Sequence, residues 1–336
     1  MSYLRPHIEQ FLGHLITRDA RACVDVAVAL ADEGVPIPEV LTGVVGPAMV
    51  EIGERWLRNE LTVADEHAAT AIADTVVSVL TATGLQTSAA PPVVTVACAE
   101  GEWHTMPARL LAGVLRAEGF DVTFLGPSMP PTHLARFLER SRPDVLGISC
   151  STPLTFAGAL SCSSVAHDAG IPVLAGGRAF GTDDLRARVL GADLWAFSGP
   201  AAAGLLRQPL DQELNEPSAD VGAAGELLSE LDNVVAAAMG ELSHRFPVMA
   251  RFDDLQRART SEDFAFIVQF AAAAVLTGDP RLFDDFLAWL DQLLLARGLP
   301  PGTVAVSLEA IRAAGAPAPM VQLLEGARPP APAGAS

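Results

Sequence analysis

Val93-Val94-Thr95-Val96-Ala97-Cys98 is a short apolar run, and Gly101-Glu102-Trp103-His104-Thr105 follows it just before a helical pattern over 107–118. The run is too short and too β-branched for a helix and has the uniform apolarity of a strand covered on both faces. The same alternation continues downstream. Strands are predicted at 121–125, 145–149, 172–175 and 194–197, with helices at 131–140, 154–169 and 183–190 between them. Strand alternating with helix argues an α/β, Rossmann-like domain with a parallel sheet. Ligands on such sheets sit at the carboxyl ends of the strands, which marks the loops at 99–105, 126–130, 149–155 and 176–180.

Upstream, residues 1–88 carry apolar positions at three- and four-residue spacing in 8–16, 20–31, 41–56 and 63–82. Short polar breaks separate these segments, so a bundle of four or five helices is expected, joined at 88–92 by a small linker to a domain spanning 89–208. Residues 201–222 read as a second linker. A third, all-helical domain is expected over 223–328, clearest at 227–239, 264–276, 281–296 and 301–313, with 329–336 a disordered tail.

Composition excludes several functions. The chain has 336 residues, half of them apolar, and all 22 of its Lys+Arg residues are arginine. Without lysine there is no Schiff base, which excludes pyridoxal phosphate enzymes, class I aldolases and retinal proteins. A net charge of −18 opposes contact with phosphate backbones, so no direct binding to nucleic acid is expected. No signal peptide or long apolar span is visible. Cys23, Cys98, Cys150 and Cys162 are widely spaced, as expected of buried thiols in a reduced cytoplasmic protein.

His104 lies at the carboxyl edge of the sheet, with Glu102 two residues away to orient one ring nitrogen and leave the other free for a metal. A plain loop histidine at a helix start would read the same way. Around it, the third strand ends Ser149-Cys150-Ser151-Thr152 and the fourth ends Ala175-Gly176-Gly177, where backbone can approach a ligand closely. These residues resemble the cobalamin-binding domain of methionine synthase and its relatives. The resemblance implies that His104 is the lower cobalt ligand, that Glu102 is its partner, and that Ser149, Ser151, Gly176 and Gly177 line a channel for the nucleotide tail. Glu102 stands where methyl-carrier proteins usually have Asp, and Pro107 where they usually have Gly.

In the first domain, Gly53-Glu54-Arg55-Trp56 precedes Leu61-Thr62-Val63-Ala64-Asp65-Glu66-His67. Thr62 and Asp65 have capping-box spacing, so a helix is expected to begin there with Val63, Glu66 and His67 on one face. A Trp packed in a bundle beside a solvated Glu-His pair is the alternative. The Trp-x9-Glu-His pattern resembles CarH-type adenosylcobalamin photoreceptors. That resemblance implies a bundle capping the corrin, with Trp56, Val63 and Glu66 against the adenosyl group and His67 as upper cobalt ligand after photolysis. It also implies a MerR-type DNA-binding domain, which this sequence does not show. A stand-alone repressor is therefore not expected.

The C-terminal region joins His244, Arg245, Arg251 and Arg257 with Phe264, Phe270, Phe286 and Trp289. It resembles photocobilins, in which a globin-like helical domain binds biliverdin. The resemblance implies a bilin near His244, Arg245, Arg251, Arg257 and Trp289, held non-covalently because the region has no cysteine. The expectation is a non-enzymatic light sensor, working as a homodimer or through an output protein. The alternatives are a corrinoid methyl carrier serving a methyltransferase and an adaptor whose C-terminal bundle only dimerises.

Overall fold

The computed structural model describes residues 2–82, 92–210, 213–245 and 247–327. Residues 88–91 of the expected linker and the expected tail at 329–336 lie outside the described residues. The chain forms two compact units, residues 1–218 and 219–336.

The first unit begins with helices α1 (Arg5–Ile16), α2 (Ala20–Asp32), α3 (Ile37–Val40), α4 (Gly46–Leu57) and α5 (Val63–Thr81). A π-helical turn over Leu41–Val45 joins α3 to α4. Phe11, Leu15, Cys23, Val44, Ile52 and Val76 close the bundle core. The ends follow from local chemistry. Asp19 accepts from Ala22 N to start α2, and Thr62 and Asp65 form a complete capping box at α5. Arg18 pairs with Asp65, fastening the α1–α2 turn to that cap.

The α/β part follows as β1 (Val93–Cys98), α6 (Met106–Ala117), β2 (Asp121–Phe124), α7 (Pro131–Ser141), β3 (Val145–Ser149), α8 (Phe156–Asp168), β4 (Val173–Gly176), α9 (Leu185–Val189), β5 (Leu194–Ala196) and α10 (Gly199–Leu206). The strands are parallel in the order β2-β1-β3-β4-β5. Cys98 pairs with Ser149, Ser149 with Gly176, and Gly176 with Ala196, so four strand ends fall in one row along the carboxyl edge. The strand order reverses between β1 and β3, which opens a crevice there.

The bundle docks on α6. Met106 and Val114 belong to the bundle's core, and Arg109 Nε reaches Asp74 Oδ1 at 2.5 Å. A Cβ at Gly113 would lie 3.0 Å from Leu41 Cδ1 and 3.2 Å from Val77 Cγ1, so any larger residue there would require those side chains to shift.

The expected linker at 201–222 is a correction. Ser198 accepts from Ala201 N and starts α10, whose Ala202, Ala203 and Leu206 pack against Val94, Val96 and Leu115. An alanine-rich helix buried on several sides shows no amphipathic period, so it reads as a spacer. The polar stretch after it is also anchored: Asn215 Nδ2 donates to Arg188 O at 2.6 Å, and Ser218 N to Val189 O at 3.0 Å.

The second unit is all-α within the described residues: α11 (Val221–Ser229), α12 (Leu231–Arg245), α13 (Asp254–Thr277), α14 (Arg281–Ala296), α15 (Thr303–Ala313) and α16 (Ala318–Gly326). Helix α13 is central and packs against α11, α12, α14 and α16. It starts ten residues before the apolar segment predicted at 264–276, because Asp253 and Gln256 form a capping box ahead of a polar first half. No described helix is long and apolar enough to cross a membrane.

Candidate functional site

The crevice between β1 and β3 is organised around one carboxylate. Glu102 is fully buried. Its Oε1 accepts from His104 N at 2.8 Å and faces His104 Nδ1 at 2.6 Å. Its Oε2 accepts from Ser151 N at 2.6 Å and Thr152 N at 3.2 Å, so the side chain bridges the loops on either side of the switch point. Behind it, Ser128 N donates to Glu102 O at 2.9 Å and Gly101 N to Ser128 Oγ at 3.1 Å. Burial works against the charge of Glu102, but bonds from the His104 ring and backbone and from Ser151 outweigh it and hold its carboxyl below the usual range.

An ionised carboxylate can only accept, so Nδ1 of His104 carries the proton and Nε2 is the ligand-capable nitrogen. The imidazole side chain is 66% exposed while its anchor is buried. The bond to Glu102 raises the pKa of His104 above 6.5; burial and Arg178 oppose this, and Glu66 supports it. Glu66 belongs to α5, so the bundle brings its own carboxylate within electrostatic reach of His104.

Ser149 Oγ and Ser151 Oγ are buried without a hydrogen-bond partner among the described residues. Such orphans are uncommon in folded proteins and point to groups supplied from outside the chain. Gly177 has φ of 105°, and a Cβ there would sit 2.2 Å from Cys150 O. The β3 and β4 loops thus cross with backbone against backbone, as a slot beside the switch point requires. All four sequence-expected channel residues, Ser149, Ser151, Gly176 and Gly177, come together here. The donor set fits a corrinoid: a fixed imidazole with a free Nε2, beside a slot with unpaired hydroxyls.

On the bundle, Trp56 lies half-buried near the end of α4, and Val63 is exposed at the start of α5. His67 Nδ1 lies 2.7 Å from Glu66 Oε2, and Thr70 Oγ1 donates to Glu66 Oε1 at 2.9 Å. The side chain of His67 is 74% exposed. A second imidazole–carboxylate pair therefore stands on the bundle, in the helical turns that the capping box fixes.

The bilin candidates are less convergent. Arg245 pairs with Glu241 and Glu309, and Arg257 donates to Phe252 O and Met249 O, where it braces the turn before α13. His244 and Arg251 are exposed. Trp289 lies 6.1 Å from Phe286, which stacks on Phe270 at 3.8 Å.

Sequence reading missed Ser128 and Arg178. Ser128 adopts a left-handed φ of 45° within Gly126-Pro127-Ser128, a turn signal on a marked loop. Arg178 directly follows the two glycines of the β4 loop. All four thiols are buried and free, as their wide spacing predicts. Burial pushes Cys23 and Cys162 to about 11 and Cys98 to about 12, so these thiols are unreactive.

Residues 92–206 match a B12 binding domain family, and residues 7–81 match a second B12 binding domain family. Two B12 binding domains lie side by side in this chain. Its cofactor is a cobalamin. The HTH-type transcriptional repressor CarH of Myxococcus xanthus is 34% identical over 140 residues, covering 40% of this chain and 46% of that repressor. The chain spans about half the length of this curated relative. The monomethylamine corrinoid protein of Methanosarcina barkeri superposes with a TM-score of 0.51 at 17% identity, covering 58% of this chain and 94% of that one. At that identity the likeness is one of fold.

Proposed function

We propose that the chain is a non-enzymatic light sensor that holds adenosylcobalamin between the bundle and the α/β domain. The observation that carries this is the second imidazole–carboxylate pair, Glu66–His67, on a bundle whose charge reaches His104. Likeness to a repressor named CarH supports the same reading. When bound, adenosylcobalamin supplies a Co–C bond that green light breaks.

The chain's own residues do the rest. Glu102 keeps the proton on His104 Nδ1 and aims Nε2 out of the crevice. Ser149, Ser151, Gly176 and Gly177 would hold the nucleotide tail. Trp56 and Val63 would pack against the bound cofactor and exclude water from it. Glu66 holds His67 with its second nitrogen available, so the bundle can rest in two states, one shaped by a bulky upper group and one by the imidazole. Output would pass through self-association or a partner protein.

In the C-terminal unit, a non-covalent biliverdin is the companion proposal, supported by the Phe270–Phe286–Trp289 cluster and by the absence of cysteine after residue 162. Absorption spectra with adenosylcobalamin and biliverdin, in the dark and after green light, test both. An irreversible light-induced change that His67→Ala alters supports the sensor. Light-insensitive turnover of a methyl group, indifferent to His67→Ala, supports a methyl carrier instead. No red-absorbing bilin band removes the bilin and leaves the C-terminal unit as an adaptor.

A further inference from the structure

Arginines in the α/β domain mostly have acceptors. Arg109 meets Asp74, Arg116 the carbonyl of Val122, Arg186 the carbonyl of Ala179, Arg188 Asp184, and Arg207 Glu118. Arg178, like Arg136 and Arg142 of the α7 segment, has a guanidinium with no hydrogen-bond or ion-pair partner among the described residues, and it is exposed; unlike them it directly follows the Gly176-Gly177 end of β4.

Its placement is fixed by its neighbours. Gly177 turns the chain over Cys150, and Ala179 N returns a hydrogen bond to Cys150 O at 3.2 Å. Ala179 and Phe180 are buried, with Phe180 against Phe156 at 5.5 Å. Arg186 Nη1 donates to Ala179 O at 2.9 Å and clamps the turn from below. The segment is anchored on both sides, so Arg178 is presented from a rigid base at the mouth of the Ser149–Ser151–Gly176–Gly177 slot.

We propose that Arg178 is an anion-binding residue that takes the phosphodiester of the corrinoid's nucleotide tail and so makes the site selective for corrinoids that carry it. This rests on the cobalamin reading of the crevice. A cobalamin tail leaves the corrin edge, passes through an anionic phosphodiester and ends in a base. The slot offers unpaired hydroxyls within and one unpaired cation at the entrance. In a chain of net charge −18 a phosphate has few places to go, and a fixed guanidinium fork suits it. A charge-assisted bond of this kind is worth roughly tenfold in affinity.

The test is an absorption titration of the full chain and its Arg178→Gln variant with three probes. These are cobinamide, which has neither phosphate nor base, cobinamide phosphate, and hydroxocobalamin. The unaltered chain should bind the two phosphate-bearing probes more tightly than cobinamide. Arg178→Gln should lose about tenfold on those two and nothing on cobinamide. Equal losses on all three probes, or no loss on any, overturn the proposal, as does equal affinity of the unaltered chain for cobinamide and cobinamide phosphate. Failure of the unaltered chain to bind hydroxocobalamin would instead overturn the cobalamin assignment. Because Arg178 is exposed and unpaired, the variant should melt with the parent chain, which separates lost binding from lost folding.

Discussion

The chain uses the same chemical pair twice, and the two copies are built differently. In Glu102–His104 the carboxylate is fully buried, satisfied by backbone donors from two loops, and the imidazole is its exposed end. In Glu66–His67 the carboxylate is partly exposed and, among the described residues, has only Thr70 as a second partner. The first pair is part of the fold and cannot relax without unsatisfying buried N–H groups. The second sits on helix α5 and can reorient at small cost. Rigidity suits a permanent ligand and mobility a conditional one. On the proposed reading, this contrast suits His104 to the permanent role and His67 to the conditional one.

The largest expected effect comes from Glu102→Gln. An amide leaves one acceptor where two were used, stranding backbone donors of Ser151, Thr152 or His104. About 2–3 kcal/mol of stability should go, seen as a lower melting temperature, with a 10–100-fold weaker hold on hydroxocobalamin. Glu66→Gln, the matching change on the bundle, should shift neither melting nor dark-state affinity by more than about threefold, as expected of an exposed pair. It should change the absorption spectrum after green light. If both variants behave alike, the contrast is wrong.

Proton competition is the next effect. The pKa of His104 is raised, so the folded apo chain favours imidazolium; that contribution is present below 6.5 and lost as pH rises through the raised value. A metal at Nε2 has the opposite preference. Histidine ligation should therefore weaken as pH falls through the same range, which an absorption titration of the loaded chain against pH would show.

Smallest is the cap. Thr62→Ala removes one half of the α5 capping box, worth about 1 kcal/mol, and should loosen the turns that carry Glu66 and His67 while sparing His104. Hydrogen bonds from Thr62 and the pair with Arg18 hold Asp65 down to about 2. Its stabilising charge is present above 3.8 and lost as pH falls through about 2, so the cap should survive mild acid. Amide exchange over 62–70, followed against pH, checks both statements.

Much of this was legible in the sequence where the physics is local. The six residues of β1 announce a buried strand, Thr62 and Asp65 announce a helix start, and Glu102-x-His104 announces an oriented imidazole. What escaped is what depends on distant chain. Ala202, Ala203 and Leu206 read as spacer because their burial comes from β1 and α6. Thr152 N has no sequence signal as a partner of Glu102, since the bond spans fifty residues and two loops. Arg178 is one arginine among 22 until the structure shows it unpaired at the Gly176-Gly177 end of β4.

The most direct test of His104 as lower ligand is electron paramagnetic resonance of the Co(II) state in a chain labelled with heavy-nitrogen histidine. Each triplet from an axial nitrogen should become a doublet on labelling, the doublet should persist in His67→Ala, and it should disappear in His104→Ala. A triplet that ignores the labelling would assign the axial nitrogen to the cofactor's own base and contradict the account.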